Sequence, residues 1–267
     1  MDIKLLEKNK DFMKITFLLK GVSPSYANSL RRYMINKVPT LAIEEVEFRK
    51  NNSALYDEII SHRLGLIPLT TDLKSYFIPE ECKCKGVGCA QCQLKITLKA
   101  KGPKTVYASQ MKSKDPNIQP VYPETPIVKL LKDQELEFVA TAIVGRGKAH
   151  NKWSPCLAYY NIMPKITISK DNPENAEKIV EQCPCDVFEL KSSKIAIAKD
   201  GLLRCNLCNA CVDLCQKGEI KVEPEPDTFI FTIESWGQLN CKDIIKETMT
   251  VFDKSLDELN KQIGEIK

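Results

Sequence analysis

Hydrophobic positions near the start of the chain alternate in two runs, IKLLE and MKITFLLK, which read as short strands across residues 2–20 with a turn at Lys8–Lys10. Ser23-Pro24 then marks a helix start, with Ser23 as N-cap and Pro24 at the first helical position. Ala27, Leu30, Met34 and Val38 recur at helical spacing, and Pro39 stops the run. LAIEEVEF, residues 41–48, predicts the next strand. From 51 to 166 proline is frequent and the strands LKITLKA, EFVATAIV and KITISK are short, which predicts a β-rich insertion with long loops. Residues 171–222 form a third block. PEPD (224–227) predicts a linker, FIFTIESWG (229–237) returns to strand character, and 238–266 is helical.

That last helix has a seam. Ile245, Met249, Phe252, Leu256, Leu259, Ile263 and Ile266 follow one another at alternating intervals of four and three residues. At about 1.5 Å per residue the helix is roughly 40 Å long, enough to overhang a small β domain. The seam therefore predicts contact with a helix of another subunit. Packing on the chain's own sheet is the blander alternative, compatible with it if one end packs internally.

Composition narrows the function. The chain has 267 residues, 43% hydrophobic and 28% charged, with a net charge of +4 and both signs mixed. That balance is globular and too weakly basic to argue for nucleic acid. MDIKLLEKNK lacks the pattern of a signal peptide, and no run approaches the length of a transmembrane helix. With twelve cysteines and no export signal, the expectation is a reducing, cytoplasmic setting in which clustered thiols hold metal. Only two histidines, His62 and His150, are present, which leaves little for histidine-based catalysis.

The cysteines form two arrays. Cys82-x-Cys84-x4-Cys89-x2-Cys92 puts four thiols within eleven residues, and Gly86 and Gly88 let the chain fold back on itself. That suits a closed, all-thiolate Zn2+ site; free thiols in an exposed loop are the alternative. Cys205-x2-Cys208-x2-Cys211-x3-Cys215 has the spacing of a ferredoxin iron–sulfur run, in which the fourth cysteine serves another cluster. Cys183-Pro184 matches the end of a second run, but Pro173, Ala176 and Ile179 stand where its other ligands would be. The expectation is one cluster, of three or four irons, held by Cys183, Cys205, Cys208 and Cys211, with Cys215 left over. Around it, Asn172-Pro173-Glu174 predicts a helix start, Ser193–Ala198 a strand, Asp200-Gly201 a turn and EIKV (219–222) a closing strand. Zinc or disulfides in the same loop are the alternative. No flavin or nicotinamide fingerprint accompanies the array, which favours a structural or redox-sensing role over electron transfer.

Other candidate sites read as ordinary structure. Arg31 and Arg32 lie about 100° apart on a helix, so one is expected to bond to protein across a subunit contact and the other to be solvated. His62 beside Arg63 reads as a packed or hydrogen-bonded residue. Gly145-Arg146-Gly147-Lys148 lacks the spacing of a phosphate loop. Glu44, Glu45 and Glu47 read as a solvated strand face, and Asp57-Glu58 as a helix-start charge pair.

The segment ANSLRRYMINKVPTLAIEEVEFRKNNSALYDEIISHRLGLIPL (27–69) resembles the α-like subunits of multisubunit RNA polymerases, above all their archaeal form, which is called D. The ordered elements are N-x-L-R-R, P-x-x-A-I-x-x-V and DE-x-x-x-H-R-x-G-x-x-P. A second patch, GRGKAHNKWSP (145–155), is similar to another motif of that family. The resemblance implies an α+β fold with an α-like dimerisation domain formed by 1–48 and 225–267. It implies a β-rich insert over 49–168 carrying the 82–92 loop, and a ferredoxin-like iron–sulfur domain over 169–224. It also implies a non-catalytic assembly platform that pairs with a smaller α-like subunit, called L in archaea. Ala27, Leu30, Arg31, Met34, Ile245, Met249, Phe252, Leu256, Leu259 and Ile263 would form that interface. Further implied partners are the second-largest subunit and small zinc-binding subunits, without direct DNA contact and away from membranes. A free-standing ferredoxin-like electron-transfer protein is the rival reading, and a DNA-binding zinc protein a third.

Overall fold

The computed structural model describes residues 1–169, 175–192, 194–216 and 218–266. In chain order the elements are β1 (Asp2–Lys8), β2 (Lys14–Lys20), α1 (Pro24–Asn36), β3 (Pro39–Asn51), α2 (Asp57–Gly65), β4 (Gln93–Lys101), β5 (Lys104–Tyr107) and β6 (Lys112–Ser113). They continue with β7 (Pro126–Leu130), β8 (Glu135–Arg146), β9 (Cys156–Ile168), α3 (Ala176–Gln182), β10 (Phe188–Lys191) and β11 (Lys194–Ile197). α4 (Gly201–Arg204), α5 (Ala210–Asp213), β12 (Ile220–Ser235) and α6 (Cys241–Glu265) complete the chain. The fold is mixed α and β, and the chain divides into two compact units. The expected helix start at Asn172-Pro173-Glu174 and the strand residue Ser193 lie outside the described residues.

One unit comprises Asn9–Lys14, Leu30–Ala158 and Ile233–Lys267. Its main sheet runs β3-β8-β4-β6. β4 alternates as its sequence demands: Leu94, Ile96, Leu98 and Ala100 point inward and the lysines between them outward. β8 pairs antiparallel with β3 on one side and β4 on the other, and fully buried Phe138 packs edge-on against Phe48 at 6.0 Å. α2 closes the core with Ile60 and Leu64, both without exposed surface. His62, on the opposite side of α2, is exposed rather than packed, whereas Arg63 donates to the Pro126 carbonyl at 2.6 Å. Glu44 meets Lys152, and Glu45 and Glu47 are exposed.

The glycines of Gly145-Arg146-Gly147-Lys148 serve close packing. A Cβ on Gly147 would lie 2.1 Å from the Ile35 carbonyl oxygen, and Lys148 N donates to Asn36 O at 3.0 Å. Only glycine lets the chain approach the end of α1 so closely. Gly147→Ala is expected to destabilise the protein by about 3 kcal/mol through this overlap. Thermal unfolding would read it, and an unchanged melting temperature would count against the packing role.

α6 starts at Cys241, three residues after the expected 238, with Asn240 Oδ1 accepting from Asp243 N at 2.9 Å as its cap. Its buried face is not the predicted seam. Cys241, Ile244, Thr248 and Val251 are the buried residues, and the Thr248 hydroxyl donates back to Ile244 O at 2.7 Å. Seam residues Ile245, Met249 and Phe252 are half-buried, with Phe252 edge-on to Tyr33 at 4.8 Å. From Leu256 onward the seam is exposed: 45% at Leu256, 50% at Leu259 and 55% at Ile263.

The other unit comprises Met1–Lys8, Ile15–Ser29 and Tyr159–Thr232. Its sheet runs β1-β2-β12-β9. α1 opens with Ser23 Oγ accepting from Tyr26 N at 3.2 Å, the cap its sequence predicts. The predicted PEPD linker is instead part of β12, one strand of sixteen residues from Ile220 to Ser235. Pro224 and Pro226 fall in its exposed stretch, where a missing N–H costs little. Beyond the sheet, α3, the β10–β11 hairpin and α5 enclose a small core of Ile179, Val187, Phe188, Ile195 and Ile220. Phe188–Lys191, where no strand was expected although Phe188 and Leu190 alternate with Glu189 and Lys191, pairs antiparallel with Lys194–Ile197.

Candidate metal centres and interaction surface

The loop before β4 brings Cys82, Cys84, Cys89 and Cys92 together. Their four sulfurs all lie within 4.8 Å of one another. Measured edges are 3.5 Å for Cys82–Cys89, 3.5 Å for Cys84–Cys92 and 3.8 Å for Cys89–Cys92. A tetrahedral ion with metal–sulfur bonds near 2.3 Å requires edges of about 3.8 Å. The sequence produces this geometry with two turns. Lys85 N donates to Cys82 O at 2.9 Å and Val87 N to Cys84 O at 3.2 Å, while Cys92 N returns to Cys89 O at 3.0 Å. Lys85, Gly86 and Gly88 all have positive φ, so the chain reverses between the two hooks. Phe77 N donates to Gln91 O at 2.8 Å and closes the base of the loop, and β4 then joins the sheet with Gln93 opposite Ile143.

The electrostatics of these thiols are opposed. A backbone N–H at Gly88, helped by neighbouring sulfurs, brings Cys84 down to about 6. Burial pushes Cys92 up to about 12. Without a cation the four groups cannot all ionise together; a bound divalent ion would let them. This donor set fits a metal ion.

The second array occupies a different environment. Cys183 caps α3, Cys205 follows α4, and Cys211 lies in α5. Leu207 and Asn209, both at positive φ, turn the chain between Cys205 and Cys211. Cys183, Cys205, Cys208 and Cys211 line one hollow together with Cys185. The sulfur of Cys183 accepts from Val187 N at 3.4 Å. Cys205 and Cys211 are buried and Cys208 is exposed. Burial raises the Cys205 thiol and pushes Cys211 up to about 11. These sulfurs are not in the tight group formed by the first loop. A hollow lined by thiols rather than a closed knot of four suits a cluster better than one ion. Cys215 stands aside, its thiol aimed at Val212 O at 3.4 Å.

Two residues outside the expected ligand set belong to the same surroundings. Cys185 repeats the C-x-C spacing of Cys82 and Cys84, a signal present in the chain itself. Arg204 holds the Cys183–Asp186 hook, its Nε donating to Cys185 O at 3.0 Å and another nitrogen to Asp186 O. The remaining cysteines are core residues: Cys241 has no exposed surface, and burial pushes Cys156 up to about 12.

Of the residues expected at an interface, Ala27, Leu30 and Met34 are buried within the chain, and Arg31 is half-buried beside exposed Arg32. Leu256, Leu259 and Ile263 form an open apolar stripe. Among the described residues no helix is long and apolar enough to cross a membrane.

Residues 43–156, which include α2, the four-cysteine loop and all of β8, match the model of the RNA polymerase Rpb3/RpoA insert domain. The fold thus carries the insert of a polymerase subunit, a component rather than a catalytic centre. Similarity extends over nearly the whole chain. It is 38% identical to DNA-directed RNA polymerase subunit Rpo3 of Methanosarcina acetivorans, covering 97% of both chains. It is 40% identical to that of Methanosarcina mazei over 97% of both, and 37% identical to that of Pyrococcus furiosus over 98% of both. The chain belongs to the Rpb3/RpoA family of RNA polymerase subunits, in its Rpo3 form.

Proposed function

We propose that this chain is the assembly platform of an archaeal-type RNA polymerase, the α-like component called D, acting in the cytoplasm without contacting DNA directly. It pairs with the smaller α-like component called L and then recruits the second-largest subunit and small zinc-binding subunits. The pairing surface is the seam of α6, with Ile245, Met249 and Phe252 at its start and Leu256, Leu259 and Ile263 at its free end. α1 contributes Arg31 at the border, with Ala27, Leu30 and Met34 as its buried support. The observation that carries this reading is the apolar stripe of α6, about half exposed where a solvated helix would be polar.

Three domains serve this role: residues 1–48 with 225–267 for dimerisation, 49–168 as the β-rich insert, and 169–224 as a ferredoxin-like domain. Cys82, Cys84, Cys89 and Cys92 hold Zn2+, which ties the loop where no apolar core can. Cys183, Cys205, Cys208 and Cys211 hold one iron–sulfur cluster, which supplies the third domain with internal cross-links and a response to oxidants. The fit of both donor sets to these groups supports the reading.

Co-expression with the smaller subunit tests the platform role. A stable 1:1 heterodimer is expected by size exclusion with light scattering. Two separate monomers at micromolar concentration would refute it.

A further inference from the structure

The hollow between the Cys183–Phe188 segment and the Cys205–Cys211 loop is lined by five cysteines, one more than a four-cornered cluster needs. We propose that Cys185 is a second ligand for the cluster corner held by Cys183, so that either sulfur can bind the same iron. This rests on the cluster reading given above.

Three observations carry the assignment. First, Cys185 lines the same hollow as Cys183, Cys205, Cys208 and Cys211, whereas Cys215 lies away from it with its thiol on Val212 O. Second, this chain already uses the C-x-C spacing to direct two sulfurs at one centre. Cys82 and Cys84, also two residues apart, both belong to the group gathered within 4.8 Å. Third, the Cys183–Val187 hook is held in shape. Pro184 restricts the backbone between the two cysteines. Asp186, at φ 47°, donates its N–H to Cys183 O at 3.3 Å, and Arg204 binds the carbonyls of Cys185 and Asp186. The hook therefore holds both cysteines at the rim of the hollow.

The exchange is a ligand substitution with no change of oxidation state. Cys185 gives up its thiol proton as its sulfur bonds to iron. The iron–sulfur bond of Cys183 breaks, and Cys183 takes up a proton. The Val187 N–H that points at Cys183 Sγ favours that sulfur as the thiolate that would bind iron. A corner served by two sulfurs keeps its iron when one of them is lost to oxidation.

The test uses the full chain, co-expressed with its partner and purified without oxygen. Iron and acid-labile sulfide are measured, the spin state is followed by electron paramagnetic resonance, and exposed thiols are labelled with iodoacetamide for mass spectrometry. Cys183→Ser is expected to retain the wild-type iron content, with Cys185 shielded from label. Cys185→Ser is expected to retain it as well, and the double variant to lose iron and show a three-iron signal or none. A folded Cys183→Ser that loses iron as the double variant does overturns the proposal while leaving the cluster reading intact. Wild-type protein without iron or sulfide overturns both. If Cys183→Ser does not fold, the wild type decides: label divided between Cys183 and Cys185 is expected, and label on only one of them overturns the shared corner.

Discussion

Replacing Leu256, Leu259 and Ile263 together by glutamate is expected to abolish pairing with the smaller α-like subunit while leaving the isolated chain folded. The argument rests on where these side chains are. They are 45%, 50% and 55% exposed, on the part of α6 beyond its last buried residue, Val251. Substitution there removes little from the chain's own core. In a complex, burying what each still exposes contributes about 2 kcal/mol at about 25 cal/mol per Å2. Forcing three carboxylates into the same apolar contact adds a further desolvation cost. Together the loss exceeds about 4 kcal/mol, or about a thousandfold in dissociation constant. Circular dichroism should be unchanged and the 1:1 peak in size exclusion should vanish. Ile244→Glu is the contrasting variant: Ile244 has no exposed surface, so this change should unfold the chain itself. A heterodimer that survives the triple substitution would sink the seam assignment.

The second large effect concerns Cys92, which has no exposed surface and touches the sulfurs of both Cys84 and Cys89. Cys92→Ser is expected to cost most of the zinc affinity, because a hydroxyl is a poor substitute for the thiolate that completes the tetrahedron. Structural zinc sites in small peptides bind with about 10–16 kcal/mol, so a loop without its own core has little to fall back on. The expected result is less than one zinc per chain by mass spectrometry. Hydrogen exchange should also quicken at Phe77 N, whose bond to Gln91 O closes the loop. The central sheet should persist, since β4 and β8 pair over nine positions independently of the loop. Lowering the pH should release the metal from the wild type, because thiols must lose protons to bind it. Full zinc occupancy in Cys92→Ser would show that the ion, if bound, uses another donor.

Much of this was legible in the sequence because local chemistry decides it. Ser23 caps α1 because its hydroxyl can accept the free Tyr26 N–H while Pro24 takes the first helical position, and the alternation Leu94, Ile96, Leu98, Ala100 fixes which face of β4 is inside. The spacing of Cys82 to Cys92 was enough to predict four sulfurs around one point. Tertiary packing decided the rest. In α6 two apolar stripes run side by side, and the more regular one, Ile245 to Ile266, is not the one the core takes. Cys241, Ile244, Thr248 and Val251 are buried instead, and a cysteine and a threonine made that face's hydrophobic signature the weaker of the two. PEPD carried a loop composition, yet its backbone continues a strand, because the neighbours of β12 impose an extended path that proline tolerates. Cys185 stood out less than Cys183, because Cys183-Pro184 alone already completes a set of four ligands.

The long strand β12 also decides how the third block is attached. β9 ends at Ile168, β12 begins at Ile220, the two are neighbours in one sheet, and Ser169 N donates to Glu219 O at 2.8 Å. The cysteine-bearing segment thus enters and leaves through adjacent backbone positions, as the turn of a hairpin does. The sheet holds its two ends together, so the entropy of closing so long a loop is already met outside the segment. Such an attachment makes the block separable in evolution: it can be elaborated, worn down or exchanged for a short turn without shifting the register of any strand in the polymerase platform.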